Sequence, residues 1–190
     1  MTDEPEESDA ELMSRAGGGD LAAFEVLVRR HQHAVIGTAA KMLGSHSRAD
    51  DIAQEVFLRA WKSAARYRPE AKFTTWLMTI TRNLVFNEFR STRRATLLPL
   101  DAEEDSPHHE IADPKQQPAG VLAAGSELQA AIDAAIQALP EKPRLALILR
   151  RYEDMPYEDI AAVLKTSVPA VKSLLFRARN ELKESLAHYF

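Results

Sequence analysis

Cysteine is absent from this 190-residue chain, which rules out a disulfide scaffold, thiolate ligands for zinc and cysteine nucleophilic chemistry, and suits a reducing compartment. No apolar run approaches the ~20 residues that span a membrane, and the opening MTDEPEESDAE is acidic where a secretory signal is basic and then apolar. A cytoplasmic protein with no direct membrane insertion is expected. The signatures of an enzyme are missing too. There is no HExxH, the glycines at 17–19 are not followed by the Lys-Ser or Lys-Thr of a phosphate loop, and His31 and His33 stand two apart on a helix and point in different directions. His108 and His109, beside Glu110, have no second ligand cluster at suitable spacing. No catalytic residue, metal site or cofactor is expected.

What is present is charge, unevenly placed. The formal net charge of -4 argues against a nucleic-acid partner until its distribution is followed along the chain. Residues 1–11 hold six acidic and no basic residues, and Asp101, Glu103, Glu104, Asp105, Glu110 and Asp113 form a second acidic stretch. Between and beyond them, residues 66–94 hold seven basic residues against two acidic, and residues 165–183 hold five against one. Two basic surfaces separated by acid fit a nucleic-acid partner that the global average conceals.

Helical periodicity divides the chain into two runs, within a length that allows one or two domains. Ser8 with Glu11 forms a capping-box pattern opening a short helix that the glycines at 17–19 end. Asp20 then caps a long helix to about Leu43, with Leu21, Phe24, Leu27, Val35, Ala39 and Met42 along one face and Gly44 as its stop. Ser47 begins a third helix whose Ile52, Val56, Phe57, Ala60 and Trp61 turn inward, and a fourth runs from about Lys72 to Arg94. From Ala95 the pattern breaks into an acidic stretch with Pro107, Pro114 and Pro118, longer than a connection inside one compact domain. Periodicity resumes near Ser126, breaks at Pro140 and gives segments over 141–153, 157–165 and 168–187. The expected fold is all-α: two small helical domains, 8–95 and 126–190, joined by a flexible acidic linker, 96–125, that lets them reorient.

Three faces invite a functional reading. Tyr157, Ile160, Ala161 and Leu164 form one short buried stripe and Val168, Val171, Leu175 and Ala178 the next, a helix-turn-helix pattern with Ser167 as cap and Pro169 in the first turn. The second helix exposes Lys172, Ser173, Arg177 and Arg179, which suits a major groove, although a solvated αα-hairpin has the same periodicity. In the fourth helix Trp76 fits either a core position or a ring on which an unpaired base stacks. Thr74, Thr75, Thr81 and Asn83 are harder to place in a core and suit base contacts, with Arg90, Arg93 and Arg94 on phosphates. On the third helix Asp51, Gln54, Glu55 and Arg59 share an outward arc, which serves either solvation or protein docking.

The stretches DIAQEVFLRAW, FTTWLMTITRN and LPEKPRLALILRRYEDMPYEDIAAVLKTSVPAVKSLLFRARNEL closely resemble, in that order, bacterial sigma factors of the extracytoplasmic-function group, over roughly Glu11 to Leu186 apart from the tether. The resemblance implies a protein that brings core RNA polymerase to specific promoters and assists DNA opening, with an anti-sigma protein as a further partner. It places polymerase docking on Asp51, Gln54 and Glu55, matches a Phe-x-x-Trp-Leu signature at Phe73, Trp76 and Leu77, and puts the asparagine beside a flipped promoter base at Asn83. The residues themselves add Thr74, Thr75, Arg82, Arg90, Arg93 and Arg94 as expected contacts to the melted minus-ten DNA. Lys172, Ser173, Leu174, Arg177 and Arg179 fall on the helix that reads the duplex minus-thirty-five element. Four positions depart from the family pattern. Lys165 stands for the turn glycine, Pro169 and Ala170 for a Gly-Thr entry, and Leu174 for an arginine; a non-glycine residue in a left-handed turn costs about 1–2 kcal/mol, an incentive for a different turn.

Overall fold

In the computed structural model the described residues are 7–97 and 122–189, and among them only helices and short connections occur. Helix α1 (Asp9–Gly17) opens on the expected capping box: Ser8 Oγ accepts from the Glu11 backbone N–H at 3.3 Å and the Glu11 carboxylate accepts from Ser8 N–H at 2.8 Å. Those bonds, first of all the one from the Ser8 hydroxyl, hold the Glu11 carboxyl below its usual range. Gly17 then passes close to another backbone, since a Cβ there would stand 2.9 Å from the Ala64 carbonyl oxygen.

Asp20 caps α2 (Leu21–Leu43) by accepting from Ala23 N–H at 3.1 Å, and Gly44 ends it in the left-handed region at φ 66°. Helix α3 (His46–Ser63) begins one residue before the expected Ser47, because Ser45 takes the cap by accepting from the Arg48 N–H. Helix α4 (Phe73–Leu97) follows a short 3₁₀ turn at Ala64–Arg66 and loop 67–72. These helices form one bundle, with α2 against α1, α3 and α4. His31 links three of them: its Nε2 lies 2.7 Å from Asp9 Oδ2 and its ring 5.1 Å from the Phe73 ring.

The second group comprises α5 (Leu122–Ala138), α6 (Glu141–Arg151), α7 (Tyr157–Leu164) and α8 (Val168–Ser185). Helices α6, α7 and α8 pack mutually around Leu145, Ile148, Leu149, Ile160, Val163, Val171, Leu175 and Ala178, all buried. Each large aliphatic side chain enclosed in this way contributes about 1.5–3 kcal/mol from apolar burial. Of the expected linker 96–125, residues 98–121 lie outside the described residues, while α4 reaches into its start and α5 into its end.

The two groups are packed together. Helix α2 meets α5 and α6, α4 meets α7, and the buried apolar residues of both groups form one continuous cluster. Region-spanning polar bonds close the seam. Arg144 Nη1 donates to the Met42 carbonyl at 2.6 Å and Gln137 Nε2 to the Lys41 carbonyl at 2.5 Å, so side chains of the second group satisfy carbonyls at the end of α2 that no further helical turn reaches. Lys72 pairs with Asp159 at 3.0 Å and Arg93 with Glu141. Thr38, buried in α2, donates to Glu153 Oε1 at 3.4 Å.

Candidate polymerase-docking and nucleic-acid interfaces

On α3, Asp51 and Gln54 are exposed and Glu55 is half-buried, one helical arc as the spacing requires. Arg59 Nε donates to Glu55 Oε1 at 2.6 Å; both side chains remain more than two-fifths exposed, so this i,i+4 pair orients the carboxylate with little effect on stability. Leu58 on α3 is 45% exposed and Leu21 at the start of α2 is 67% exposed. Each lies one turn from the edge-on contact of Phe24 with Trp61, whose rings are 5.1 Å apart. Sequence reasoning assigned Leu21 to the core and passed over Leu58; the signal for Leu58 was an apolar residue on the polar arc.

On α4, Trp76 is packed on one side and open on another. Its ring packs edge-on against Tyr67 at 5.1 Å, and the same half-buried residue lines an open cleft of about 290 Å³ with Arg59, Lys62, Ser63, Ile80 and Asn83. Asn83 is exposed. Arg82, expected beside the DNA backbone, is half-buried, lies 5.9 Å over the Phe86 ring and donates through Nη2 to Asn83 Oδ1. Burial draws its pKa down. Thr74 is half-buried beside a second hollow lined by Asp9, Tyr67 and Lys72. Thr75 and Thr81, expected at the DNA surface, are instead buried at 2% and 0% exposure, with Thr81 Oγ1 donating back to the Leu77 carbonyl at 3.0 Å. Helix α4 is covered by α2, α3 and α7, and both threonines lie within its packed surface. Arg90 donates to Asn87 Oδ1, Arg94 is exposed, and Arg93 is the cation held by Glu141.

The turn between α7 and α8 takes the left-handed conformation in spite of its lysine: Lys165 has φ 52° and ψ 54°, and Thr166 N–H donates to Ala161 O at 2.9 Å. The incentive for a different turn was outweighed by the packing of α7 on α8. Ser167 caps α8 at the Ala170 N–H, with Pro169 in the first turn. Lys172, Ser173, Arg177 and Arg179 are exposed together, while Leu174 is half-buried and packs on the core. The apolar group presented to solvent here is Phe176, 66% exposed, one turn from Lys172 and flanked by Arg177 and Arg179. It was missed because attention to charge on this helix set aside aromatics.

Comparison with known proteins decides what these faces belong to. Residues 27–95 match the family model "Sigma-70 region 2" and residues 129–182 match "Sigma-70, region 4". The chain is 34% identical over 185 residues to RNA polymerase sigma-H factor of Pseudomonas aeruginosa, covering 95% of each. It belongs to the extracytoplasmic-function sigma factors of the sigma-70 family. The ECF RNA polymerase sigma-E factor of Escherichia coli K12 is 32% identical over 182 residues, covering 92% of both chains. Among solved structures, CnrH in complex with the cytosolic domain of CnrY shares the fold at a TM-score of 0.71 and 24% identity, over 96% of this chain and 99% of that one. The sigma factor RpoE in complex with the anti-sigma factor NepR from Bartonella quintana aligns with a TM-score of 0.67 and 25% identity, over 86% and 96% of the two chains.

A sigma factor binds core RNA polymerase and directs transcription initiation; it is not an enzyme, and nucleotidyl transfer remains with the polymerase. The geometry of this sigma factor suits that division of labour. Its three faces carry exposed carboxylate and amide groups, an aromatic beside an amide, and cations on a helix. Among the described residues no three His, Asp or Glu side chains gather as a group that could hold a metal. Among those residues no helix is long and apolar enough to cross a membrane.

Proposed function

We propose that the first helical group, 8–95, docks on core polymerase and captures melted promoter DNA, that 96–125 is a linker, and that 126–190 reads the duplex minus-thirty-five element. The observation that carries this reading is the α4 cleft, where Trp76 offers a ring face and exposed Asn83 a hydrogen-bonding edge within one cavity. A base taken out of the duplex gains about 1–3 kcal/mol by stacking on a protein aromatic, which favours the open form without ATP. Arg90, Arg93 and Arg94 then anchor phosphates along the rest of α4. Asp51, Gln54 and Glu55 meet basic groups of the polymerase, and Leu58 supplies an apolar anchor among them. On α8, Lys172 and Arg177 approach base edges, Ser173 and Arg179 the backbone, and Phe176 the methyl of a thymine.

The seam between the groups supports regulation by a protein partner in the cytoplasm. Arg93 and Lys72, both on the DNA-facing side of the first group, are held by Glu141 and Asp159 of the second, so DNA and these carboxylates compete for the same cations. An anti-sigma protein that stabilises this docked arrangement, or wraps it, withholds the sigma factor from polymerase. The test is transcription with core polymerase over a randomised promoter library, comparing wild type with N83A, K172A and R177A. N83A is expected to alter preference in the downstream element alone, and K172A or R177A in the upstream element alone. Equal loss on every promoter would reduce these residues to non-specific anchors, and failure of the wild type to select any promoter would overturn the division of roles.

A further inference from the structure

We propose that Arg82 is a positioning residue that locks the side-chain amide of Asn83 with its NH₂ turned toward the cleft, so that a captured base is selected for two adjacent hydrogen-bond acceptors. The inference rests on the cleft being the seat of an unpaired promoter base.

The two ends of an asparagine amide are nearly the same in shape but opposite in chemistry, one an acceptor and the other a double donor. A free Asn83 would turn either end to a base. The guanidinium removes that freedom because it has donors only. Since Arg82 Nη2 donates to Asn83 Oδ1, the oxygen faces Arg82, and both N–H bonds are directed elsewhere, on a residue that lines the cleft. Arg82 is itself restrained, half-buried and stacked over Phe86, and its partial shielding from water strengthens the bond it makes. One of its donors is turned to Asn83 while its Nε is buried without a partner, where the sequence suggested a phosphate contact.

The rest of the lining points the same way. Arg59 and Lys62 can only donate, and besides Asn83 itself only the Ser63 hydroxyl around the cleft has a side-chain acceptor. Cytosine offers O2 and N3 side by side, and guanine O6 and N7. Adenine and thymine alternate acceptor with donor along their polar edges, so a donor lining leaves one of their groups unmatched. Asn87, whose oxygen is held in the same manner by Arg90, is not part of the cleft lining, so the device bears on base choice at Asn83 alone.

The full chain with core polymerase is assayed for open-complex formation by permanganate reactivity and abortive transcription, on promoters varied singly at each non-template base of the melted segment. Wild type is expected to prefer cytosine or guanine at one position by about 10-fold, the size of a two-point match. R82M keeps the apolar stem on Phe86 and removes the donor, and is expected to reduce that preference to about 2-fold at that position while upstream preference holds. R82K, which still only donates, retains most of it; R82Q, whose amide presents either end to Asn83, relaxes it and serves as a second loss variant if R82M melts early. A wild-type profile in R82M and R82Q, an equal loss for all four bases, or a wild-type preference for adenine or thymine would overturn the proposal. If N83A leaves the wild-type profile unchanged, the reading of the cleft itself fails, a result obtained without reference to Arg82.

Discussion

Replacing Arg144 with alanine removes a side chain that closes two helix ends at once. Its guanidinium donates to the Met42 carbonyl at 2.6 Å, to the Leu139 carbonyl at 2.8 and 3.1 Å, to Gln137 Oε1 at 3.1 Å and to the Gln137 carbonyl, and it lies 5.7 Å over the Phe89 ring. Met42 stands at the end of α2, and Gln137 and Leu139 at the end of α5, where backbone oxygens have no partner in the helix. Each buried acceptor left unpaired costs about 1–3 kcal/mol. Against that, alanine relieves the desolvation of a half-enclosed charge, which burial already disfavours by drawing the Arg144 pKa down. With water re-solvating part of the exposed ends, the net loss is about 2–4 kcal/mol. For a cooperative unit of this size that corresponds to a fall of about 5–15 °C in melting temperature. Circular dichroism melts and urea titrations of R144A, with R144M to keep the stem over Phe89, measure it. R144M falling nearly as far as R144A assigns the loss to hydrogen bonding; a melting temperature within about 2 °C of wild type for both would refute the capping role.

Two further perturbations test the backbone and the seam. Lys165 has φ 52°, so K165G relieves a left-handed strain of about 1–2 kcal/mol. Glycine's unfolded-state entropy offsets part of this, and a melting temperature raised by a few degrees is expected, a fall contradicting strain at this turn. Burial raises the Glu153 carboxyl above its usual 4.5, against smaller lowering effects from the Thr38 hydroxyl and from Lys41, with Asp154 adding to the rise. The folded form therefore binds this proton more tightly than the unfolded chain: its contribution is fully present below 4.5 and is lost as pH rises through the raised value. E153Q keeps an acceptor for Thr38 and carries no charge, so it should be more stable than wild type at neutral pH and show a flatter pH dependence of melting above 4.5. An E153Q protein less stable at neutral pH than wild type would show that the charge, and not its burial, matters at that contact.

How much was legible in the sequence depended on whether one helix or two decided a residue's surroundings. Caps did not need a partner: Ser8, Asp20, Gly44 and Ser167 act where the local pattern placed them, and the start of α3 was misplaced only because Ser45 and Ser47 are equally able to cap. The exposed set Lys172, Ser173, Arg177 and Arg179 followed from one periodic face of α8. Thr75 and Thr81 went wrong for the opposite reason. Helix α4 meets α2, α3 and also α7, which arrives some eighty residues later, and the local pattern of α4 gives no sign of that distant partner. The bond from Arg82 to Asn83 was out of reach as well, because neighbours one apart on a helix do not ordinarily face each other. It depends on Phe86 holding the guanidinium back along the helix.

The placing of the two tryptophans, the only ones in the chain, gives this sigma factor an optical property. Trp61 packs against Phe24, while Trp76 forms part of the wall of the α4 cleft, and the whole second group lacks an indole. Indole emission from the molecule therefore comes entirely from the first group, one source packed on Phe24 and the other in the wall of the α4 cleft. The proposed capture of a base in the cleft would quench the second source and leave the first as an internal standard, so strand capture would be followed in real time without a dye.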